Sequence, residues 1–171
     1  MKTTRPIRAV LFDMDGVMVD SEFVYMKYLL EFAKEKNPTV KMEDINPMVG
    51  RSRQDSWTVM EQAVNNGENW ETLIREWADR DIYSQIDYRK IFRPEMKTTV
   101  QELKRRGYIV ALVSSTGPKL ISRIVEEVGM RPEFDLIVSG KQFKQSKPNP
   151  EIYHYTADTL GIREDECFVV E

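Results

Sequence analysis

Short apolar runs alternate with helical patterns along much of the chain. Three runs have the continuous apolar character of strands that are buried on both faces of a sheet: Ala9–Asp13, Ile109–Ser114 and Cys167–Val170. A weaker run is Asp135–Val138. The helical segments of this part of the chain end close to a glycine, the usual residue after a helix: Thr99–Arg106, Lys119–Val128 and Pro150–Leu160. The alternation predicts an α/β fold, with a parallel sheet and helices on both faces.

The segment between residues 21 and 93 interrupts this alternation. It contains no convincing strand, and its apolar spacing predicts three helices: Glu22–Lys36, Arg53–Asn65 and Trp70–Ile86. All three tryptophans of the chain fall in this segment, and we expect them to fill the core of a small helical bundle. We therefore predict an α/β core from residues 1–20 and 94–171, and an inserted helical cap from residues 21–93.

Composition and charge narrow the class of protein. The chain has 171 residues, of which 41% are apolar and 31% are charged, as in soluble globular proteins. Its net charge of -3 gives no general attraction to nucleic acid, and no apolar run reaches the ~20 residues of a membrane helix. The single cysteine, Cys167, excludes an internal disulfide and is expected to be buried. We expect a cytoplasmic monomer without nucleic-acid or membrane partners.

Two carboxylates, Asp13 and Asp15, follow the first predicted strand, and Gly16 comes next. In an extended segment, residues i and i+2 point to the same side. Two acids held this close repel each other unless a cation lies between them or one stays protonated. The pair can form a metal site, or one acid can be a nucleophile while the other handles a proton. A calcium loop and an ordinary turn are the structural alternatives.

Three stretches together resemble the haloacid dehalogenase-like (HAD) superfamily, in the branch of the β-phosphoglucomutases and phosphoglycolate phosphatases. They are residues 13–21, 111–116 and 146–153, and they occur in order near the ends of predicted strands or at the start of a helix. The resemblance implies a Rossmann-like core with a helical cap. It also implies an enzyme that uses Mg²⁺ and acts on a small phosphorylated metabolite such as a sugar phosphate.

The resemblance implies a role for each residue near the first strand. Asp13 would attack phosphorus and become an aspartyl phosphate. Asp15 would protonate the leaving oxygen and then activate water. The Asp13 carboxylate and the Asp15 backbone carbonyl would also bind Mg²⁺, and Gly16 would let the backbone bend close to the phosphate.

The other two stretches supply partners for the phosphoryl group. The Ser114 hydroxyl and the Ser115 backbone N–H would donate to its oxygens, and Lys147 would place its ammonium on the phosphate and on the nucleophile. Lys147 precedes a proline, so its backbone should be extended. Without the resemblance, a polar capping turn is the favoured interpretation of residues 114–116. A solvated basic loop with Lys141 and Lys144 is the alternative for Lys147, but the rigid sequence of residues 147–150 favours Lys147 as the phosphate contact.

In the cap, residues 50–55 resemble the substrate-facing loop of the family. Arg53 is the candidate for holding a distal phosphate or acid of the substrate, because a guanidinium forks onto such groups. Arg51 is the alternative for this contact. A solvated arginine at the start of a helix is the structural interpretation of Arg53. Lys119 is a weaker candidate for a substrate contact. His154, the only histidine, is expected at the surface or in packing, so the sequence predicts no zinc site.

Two departures from the family pattern affect the predicted activity. Tyr25 stands where the sugar-phosphate mutases of this branch have a histidine, which favours a phosphatase over a mutase. Glu171 would be the first acid of the fourth family motif, and the sequence ends there. We therefore expect the C-terminal part of the core to be missing, with Glu171 as a partial substitute for the usual Mg²⁺ ligand.

The sequence thus predicts a magnesium-dependent phosphatase. A β-phosphoglucomutase-type hexose-phosphate mutase is the alternative within the enzymes. An inactive, truncated member that binds phosphometabolites is the alternative outside them. A 2-haloacid dehalogenase is disfavoured, because that chemistry does not need Asp15 as a proton carrier.

Overall fold

The computed structural model describes residues 6–145 and 147–171. Ser146, the first residue of the third motif stretch, and the N-terminal residues 1–5 lie outside the described residues. The chain divides into two compact units, which we call the α/β unit (Met1–Ser21 with Asp87–Glu171) and the helical unit (Glu22–Ile86). In the described part of the chain, no helix has the length and apolar character needed to cross a membrane.

The elements follow one another along the chain in a βα alternation that a block of helices interrupts. The strands are β1 (Ala9–Phe12), β2 (Ile109–Ser114), β3 (Leu136–Ser139) and β4 (Cys167–Val170). The helices are α1 (Ser21–Lys36), α2 (Met42–Ile45), α3 (Arg53–Val64), α4 (Trp70–Ala78), α5 (Ile82–Gln85), α6 (Tyr88–Ile91), α7 (Glu95–Arg105), α8 (Pro118–Glu127) and α9 (Glu151–Leu160). Short 3-10 helices are Asn46–Met48, Arg131–Glu133, Gly140–Gln142 and Glu164–Glu166.

The sheet of the α/β unit has the order β3-β2-β1-β4, and all its strand pairs are parallel. In the register, Ala9 of β1 lies opposite Ile109 of β2 and Cys167 of β4. The parallel α/β fold predicted from the sequence is confirmed. Because all the strands run the same way, their carboxyl ends meet at one edge of the sheet, where binding sites of such folds form.

Helices cover both faces of this sheet. On one face, Ala9 and Leu11 of β1 pack with Ile152 and Ala157 of α9. On the other face, Val10 and Leu103 of α7 line the same groove. β1 is therefore buried on both sides, which explains its uninterrupted apolar sequence.

β4 lies at the edge of the sheet, and this position corrects one prediction. Cys167 is partly exposed instead of buried. Phe168 and Val169 of the same strand are also exposed, Phe168 to 57%. An apolar run signals a strand, but it does not tell whether the strand lies at the centre or at the edge of the sheet.

The helical unit has its own aromatic core, built around Phe32, Trp57 and Trp77. Trp70 packs against this core from a partly buried position. The prediction of one helix over Trp70–Ile86 is wrong, because α4 ends at Ala78 and α5 starts only at Ile82. Asp81 has a left-handed backbone (φ +43°), which no α-helix can contain, so the chain turns between the two helices.

The second boundary between the units lies after Ile86, whereas the sequence places it after residue 93. Residues 91–93 join the α/β unit because they bond to the segment that follows the acid pair. The N–H of Asp20 donates to the Ile91 carbonyl at 2.9 Å, and the N–H of Arg93 donates to the Met18 carbonyl at 3.0 Å. These two bonds anchor both ends of the inserted segment on the α/β unit.

Candidate active site

Asp13 is the first residue after β1, at the carboxyl edge of the sheet. Its N–H donates to the Val170 carbonyl of β4 at 2.9 Å, so the backbone is still fixed by the sheet at this point. Burial raises the pKa of the Asp13 carboxyl above its usual value, although the charge of Lys147 and a hydrogen bond from the Met14 N–H oppose the shift. Nearby Asp15 adds to the rise. Asp13 is thus a carboxylate that water stabilises poorly.

Hydroxyl groups hold the carboxylate of Asp15 on both oxygens. Ser21 Oγ donates to Oδ1 at 2.5 Å, and Thr116 Oγ1 donates to Oδ2 at 2.9 Å. Ser114 Oγ lies 3.5 Å from the same Oδ2. Sequence reasoning missed Ser21 and Thr116 as partners of Asp15. In the sequence, Ser21 and Thr116 stand out only as the last residues of the stretches 13–21 and 111–116.

Gly16 forms the turn that follows the acid pair. Its φ of +77° lies in the region that favours glycine, and its N–H donates to the Val19 carbonyl at 2.8 Å. A Cβ at this position would meet no atom within 4 Å, so the backbone conformation alone requires the glycine. The turn brings the chain back to Ser21, which then reaches Asp15.

Lys147 lies between two carboxylates. Its Nζ is 3.2 Å from Oδ1 of Asp13 and 2.9 Å from Oε1 of Glu171, and it donates to the Val113 carbonyl at 2.9 Å. Burial disfavours the charge, but hydrogen bonds with Tyr153 and Glu171 and the charge of Asp13 outweigh it and raise the pKa of the Lys147 ammonium. The Lys147 side chain therefore stays protonated and contacts Asp13. This contact excludes the interpretation of Lys147 as a solvated loop residue.

Tyr153 completes this cluster, and sequence reasoning did not single it out. Its hydroxyl donates to Glu171 Oε1, and its ring centre lies 5.3 Å from Nζ of Lys147. Hydrogen bonds from Tyr153 and Lys147 lower the pKa of Glu171, while burial and the hydrogen bond to Glu171 raise the pKa of Tyr153 to about 12. Its only signal in the sequence is its place as the last residue of the third stretch.

Ser114 and Ser115 lie at the end of β2, next to Asp15. Ser114 is fully buried, and its Oγ accepts a hydrogen bond from the Thr116 N–H at 3.1 Å, as in the predicted capping turn. Gly140, from the end of β3, approaches this turn closely, because a Cβ on it would lie 3.1 Å from the Ser115 Cα. The close approach packs the ends of two neighbouring strands beside the acid pair.

The donor chemistry for a metal is present in part. The Asp13 carboxylate and the Asp15 backbone carbonyl are hard oxygen donors of the kind that Mg²⁺ prefers, and Mg²⁺ usually adds waters and substrate phosphates to one or two carboxylates. Within residues 6–145 and 147–171, no three acidic, histidine or cysteine side chains gather around a common metal position. Glu171, predicted as a further ligand, has its carboxylate on Lys147 and Tyr153.

Three further predicted residues, Arg53, Lys119 and His154, belong to other elements of the structure. Arg53 is the first residue of α3 in the helical unit, where Ser52 caps the helix by accepting from the Asp55 N–H at 3.2 Å. Lys119 is exposed on α8. His154 lies at the surface beside Glu164, as predicted, with Nδ1 2.5 Å from Oε1.

Comparisons with known proteins match this arrangement. A family model described as haloacid dehalogenase-like hydrolase matches residues 7–171. Hexitol phosphatase B of Escherichia coli K12 is 25% identical and covers 100% of this chain and 78% of its own. Pyrophosphatase PpaX of Bacillus cereus B4264 is 25% identical over 96% of this chain and 74% of its own.

Solved structures agree on the fold. A Thermotoga maritima protein, provisionally named a β-phosphoglucomutase, superposes with a TM-score of 0.75 at 22% identity. The match covers 95% of this chain and 75% of that one. The family supports an enzyme of phosphatase or phosphomutase type. With a family model that spans nearly the whole sequence and a sheet of the same architecture, the chain belongs to the haloacid dehalogenase-like hydrolases.

Proposed function

We propose that the chain is a magnesium-dependent phosphomonoester hydrolase that works through an aspartyl phosphate on Asp13. The observation that carries the proposal is the contact of Lys147 Nζ with Asp13 Oδ1 at 3.2 Å, on the sheet edge where Asp15 also lies. A permanent cation beside a poorly solvated carboxylate is suited to bring a phosphate dianion next to an anionic nucleophile.

The proposed reaction has two displacements. The Asp13 carboxylate attacks phosphorus, the ester P–O bond breaks, and protonated Asp15 gives its proton to the leaving oxygen. Ionised Asp15 then takes a proton from a water that attacks the phosphoaspartate, which releases inorganic phosphate and restores Asp13. Splitting one displacement into two easier ones is the usual benefit of a covalent intermediate.

Asp15 is suited to this change of protonation state because its partners are hydroxyls. Ser21 and Thr116 each donate to an ionised carboxylate, and a hydroxyl can instead accept from a protonated one. The carboxyl group therefore keeps its position through both steps. A fixed position is what general acid-base catalysis requires of its proton carrier.

The phosphoryl oxygens would be held by Lys147, the Ser114 hydroxyl and the Ser115 N–H, with Gly16 allowing close approach. Mg²⁺ would bind the Asp13 carboxylate and the Asp15 backbone carbonyl, and it would neutralise charge on the phosphoryl group. Glu171 would have to leave Lys147 to join these ligands, so its role as a ligand stays a prediction.

For the substrate we propose a small phosphorylated metabolite, such as a sugar phosphate, with Arg53 as a candidate contact. Relatives named as a hexitol phosphatase and a pyrophosphatase support this class. Tyr25 stands where the sugar-phosphate mutases of this branch have a histidine, and this supports hydrolysis over a mutase reaction. The Tyr25 hydroxyl accepts a hydrogen bond from Trp77 Nε1 at 3.0 Å. We place the protein in the cytoplasm as a monomer, without nucleic-acid or membrane partners.

The test measures phosphate release from p-nitrophenyl phosphate and a panel of sugar phosphates, with and without Mg²⁺. Asp13→Asn should abolish turnover, and Asp158→Asn, an exposed acid on α9, should not change it. After acid quench during turnover of a labelled phosphate ester, label should remain on the parent protein and not on Asp13→Asn. Equal turnover of the parent and Asp13→Asn would refute the proposal. Interconversion of sugar phosphates would instead identify a mutase, and no turnover would identify the inactive alternative.

A further inference from the structure

The turn after β2 is held at three points of a single residue, Thr116. Its Oγ1 donates to Oδ2 of Asp15 at 2.9 Å, and its N–H donates to Oγ of Ser114 at 3.1 Å. Its backbone carbonyl accepts a hydrogen bond from Oγ of Ser139 at 2.6 Å. Because the hydroxyl, the N–H and the carbonyl of Thr116 all have partners, the hydroxyl that contacts Asp15 has a fixed direction.

Ser139 is the last residue of β3, and the sheet brings it to this turn. In the parallel register it lies opposite Ser114 of β2. Its Oγ also accepts a hydrogen bond from the Lys141 N–H at 3.3 Å, as the cap of the 3-10 helix Gly140–Gln142. With an N–H already directed at this oxygen, the hydroxyl proton is free to point at the Thr116 carbonyl. The end of β3 therefore fixes the Ser139 hydroxyl in the orientation of a donor.

Gly140 lets the end of β3 come close enough for this bond. A Cβ on Gly140 would lie 3.1 Å from the Ser115 Cα and 3.4 Å from the Ser114 carbonyl oxygen. A residue without a side chain thus lets the two strand ends approach each other. The short side chain of Ser139 is then long enough to reach the turn.

We propose that Ser139 is a positioning residue for the reaction at Asp15. By holding the Thr116 carbonyl, the Ser139 hydroxyl keeps the Thr116 hydroxyl directed at Oδ2 of Asp15. The inference rests on the proposed function, in which Asp15 carries the proton, because a proton carrier must be held in a fixed place. Ser139 acts through Thr116 and is not itself a catalytic residue.

Kinetics with p-nitrophenyl phosphate test this role, because its turnover requires Asp15 to activate water in the second displacement. Ser139→Ala should lower kcat about fivefold, the effect of one hydrogen bond, and change KM by less than about twofold. Ser139→Thr keeps the hydroxyl and should recover most of kcat. Ser122→Ala, an exposed serine on α8, is the matched control and should behave like the parent. Parent kcat in Ser139→Ala, or a threonine variant as slow as the alanine variant, would contradict the proposal.

A double-mutant cycle shows whether Ser139 acts through the Thr116 hydroxyl. Thr116→Val removes that hydroxyl, so the addition of Ser139→Ala to Thr116→Val should lower kcat by less than about twofold. Independent effects would multiply instead. A fivefold loss on both backgrounds would show that Ser139 acts by another route, and it would overturn the proposed coupling.

Crystal structures of the parent and Ser139→Ala give a readout that does not depend on turnover. We expect the contact between Thr116 Oγ1 and Asp15 Oδ2 in the parent and its loss in the variant, with urea midpoints to establish that both proteins are folded. A variant that keeps this contact at the parent distance overturns the positioning role, whatever its kcat. A parent without turnover would refute the proposed function, and the two crystal structures would still decide whether Ser139 positions Thr116.

Discussion

The ammonium of Lys147 lies 3.2 Å from Oδ1 of Asp13 and 2.9 Å from Oε1 of Glu171. One cation thus joins carboxylates that follow two neighbouring strands, β1 and β4. Lys147 is largely buried, with its side chain 14% exposed, so solvent screens these pairs less than it screens surface ion pairs. This arrangement makes the lysine the centre of the proposed site.

We expect Lys147→Met to lower kcat/KM for a phosphate ester by about 10²–10³, the usual cost of losing one preorganised electrostatic partner. Methionine keeps most of the side-chain length but has no charge. Lys144→Met, in the same loop but exposed, is the matched control and should keep parent activity. Equal kcat/KM values for the two methionine variants would show that the contact of Lys147 with Asp13 does not contribute to activity.

Tyr153→Phe tests the hydroxyl that donates to Glu171. The ring beside Lys147 remains, but Glu171 loses one donor, so we expect a roughly fivefold loss of kcat, equivalent to the ~1 kcal/mol of one hydrogen bond. Tyr155→Phe, two residues further along α9, removes a hydroxyl outside the cluster and should have no effect. Steady-state kinetics of the parent and the two variants measure this difference. A kcat of Tyr153→Phe equal to that of the parent would show that Tyr153 acts only through packing of its ring and does not position Glu171 and Lys147.

The hydroxyl of Thr116 is expected to position Asp15. Thr116→Val keeps the shape but removes the donor to Oδ2, and we expect kcat to fall about tenfold with KM nearly unchanged, because only the proton carrier is displaced. Thr116→Ser retains the hydroxyl and should recover most of the activity. A serine variant as slow as the valine variant would show that the methyl group, and not the hydrogen bond, matters.

Glu102 gives a pH-dependent effect on stability. Hydrogen bonds from Arg105 and Arg106 lower its pKa to about 2, from an ordinary value of 4.5. A lowered carboxyl pKa adds stability above the unfolded value of 4.5, and this stability is lost as the pH falls through the folded value of about 2. Glu102→Gln should therefore lower the urea midpoint at neutral pH, and the difference should shrink below pH 4.5.

Glu126→Gln, an exposed acid on α8, is the control for this titration. The pairs of Glu102 are solvent-exposed, so the effect at neutral pH is small. A Glu102→Gln variant that lost more stability in acid than at neutral pH would reverse the expected sign and contradict the assignment.

The sequence pattern predicted the sheet because each buried strand has a continuous apolar run as its local sequence. Asp13 and Lys147 were predicted because each lies in a short motif. Tyr153 and Thr116 were not, since their roles depend on where α9 and the end of β2 bring their hydroxyls. The break after Ala78 depends on one left-handed residue, Asp81, which apolar spacing does not register.

Gly140 has a consequence for the interpretation of natural and laboratory variants. A Cβ at residue 140 would lie 3.1 Å from the Ser115 Cα, so the turn beside Asp15 would have to shift by a few tenths of an ångström. We expect such a variant to have lower turnover, although it keeps every proposed catalytic group. In a mutational screen it would be mistaken for damage to the chemistry, although its defect is one of spacing between two strands.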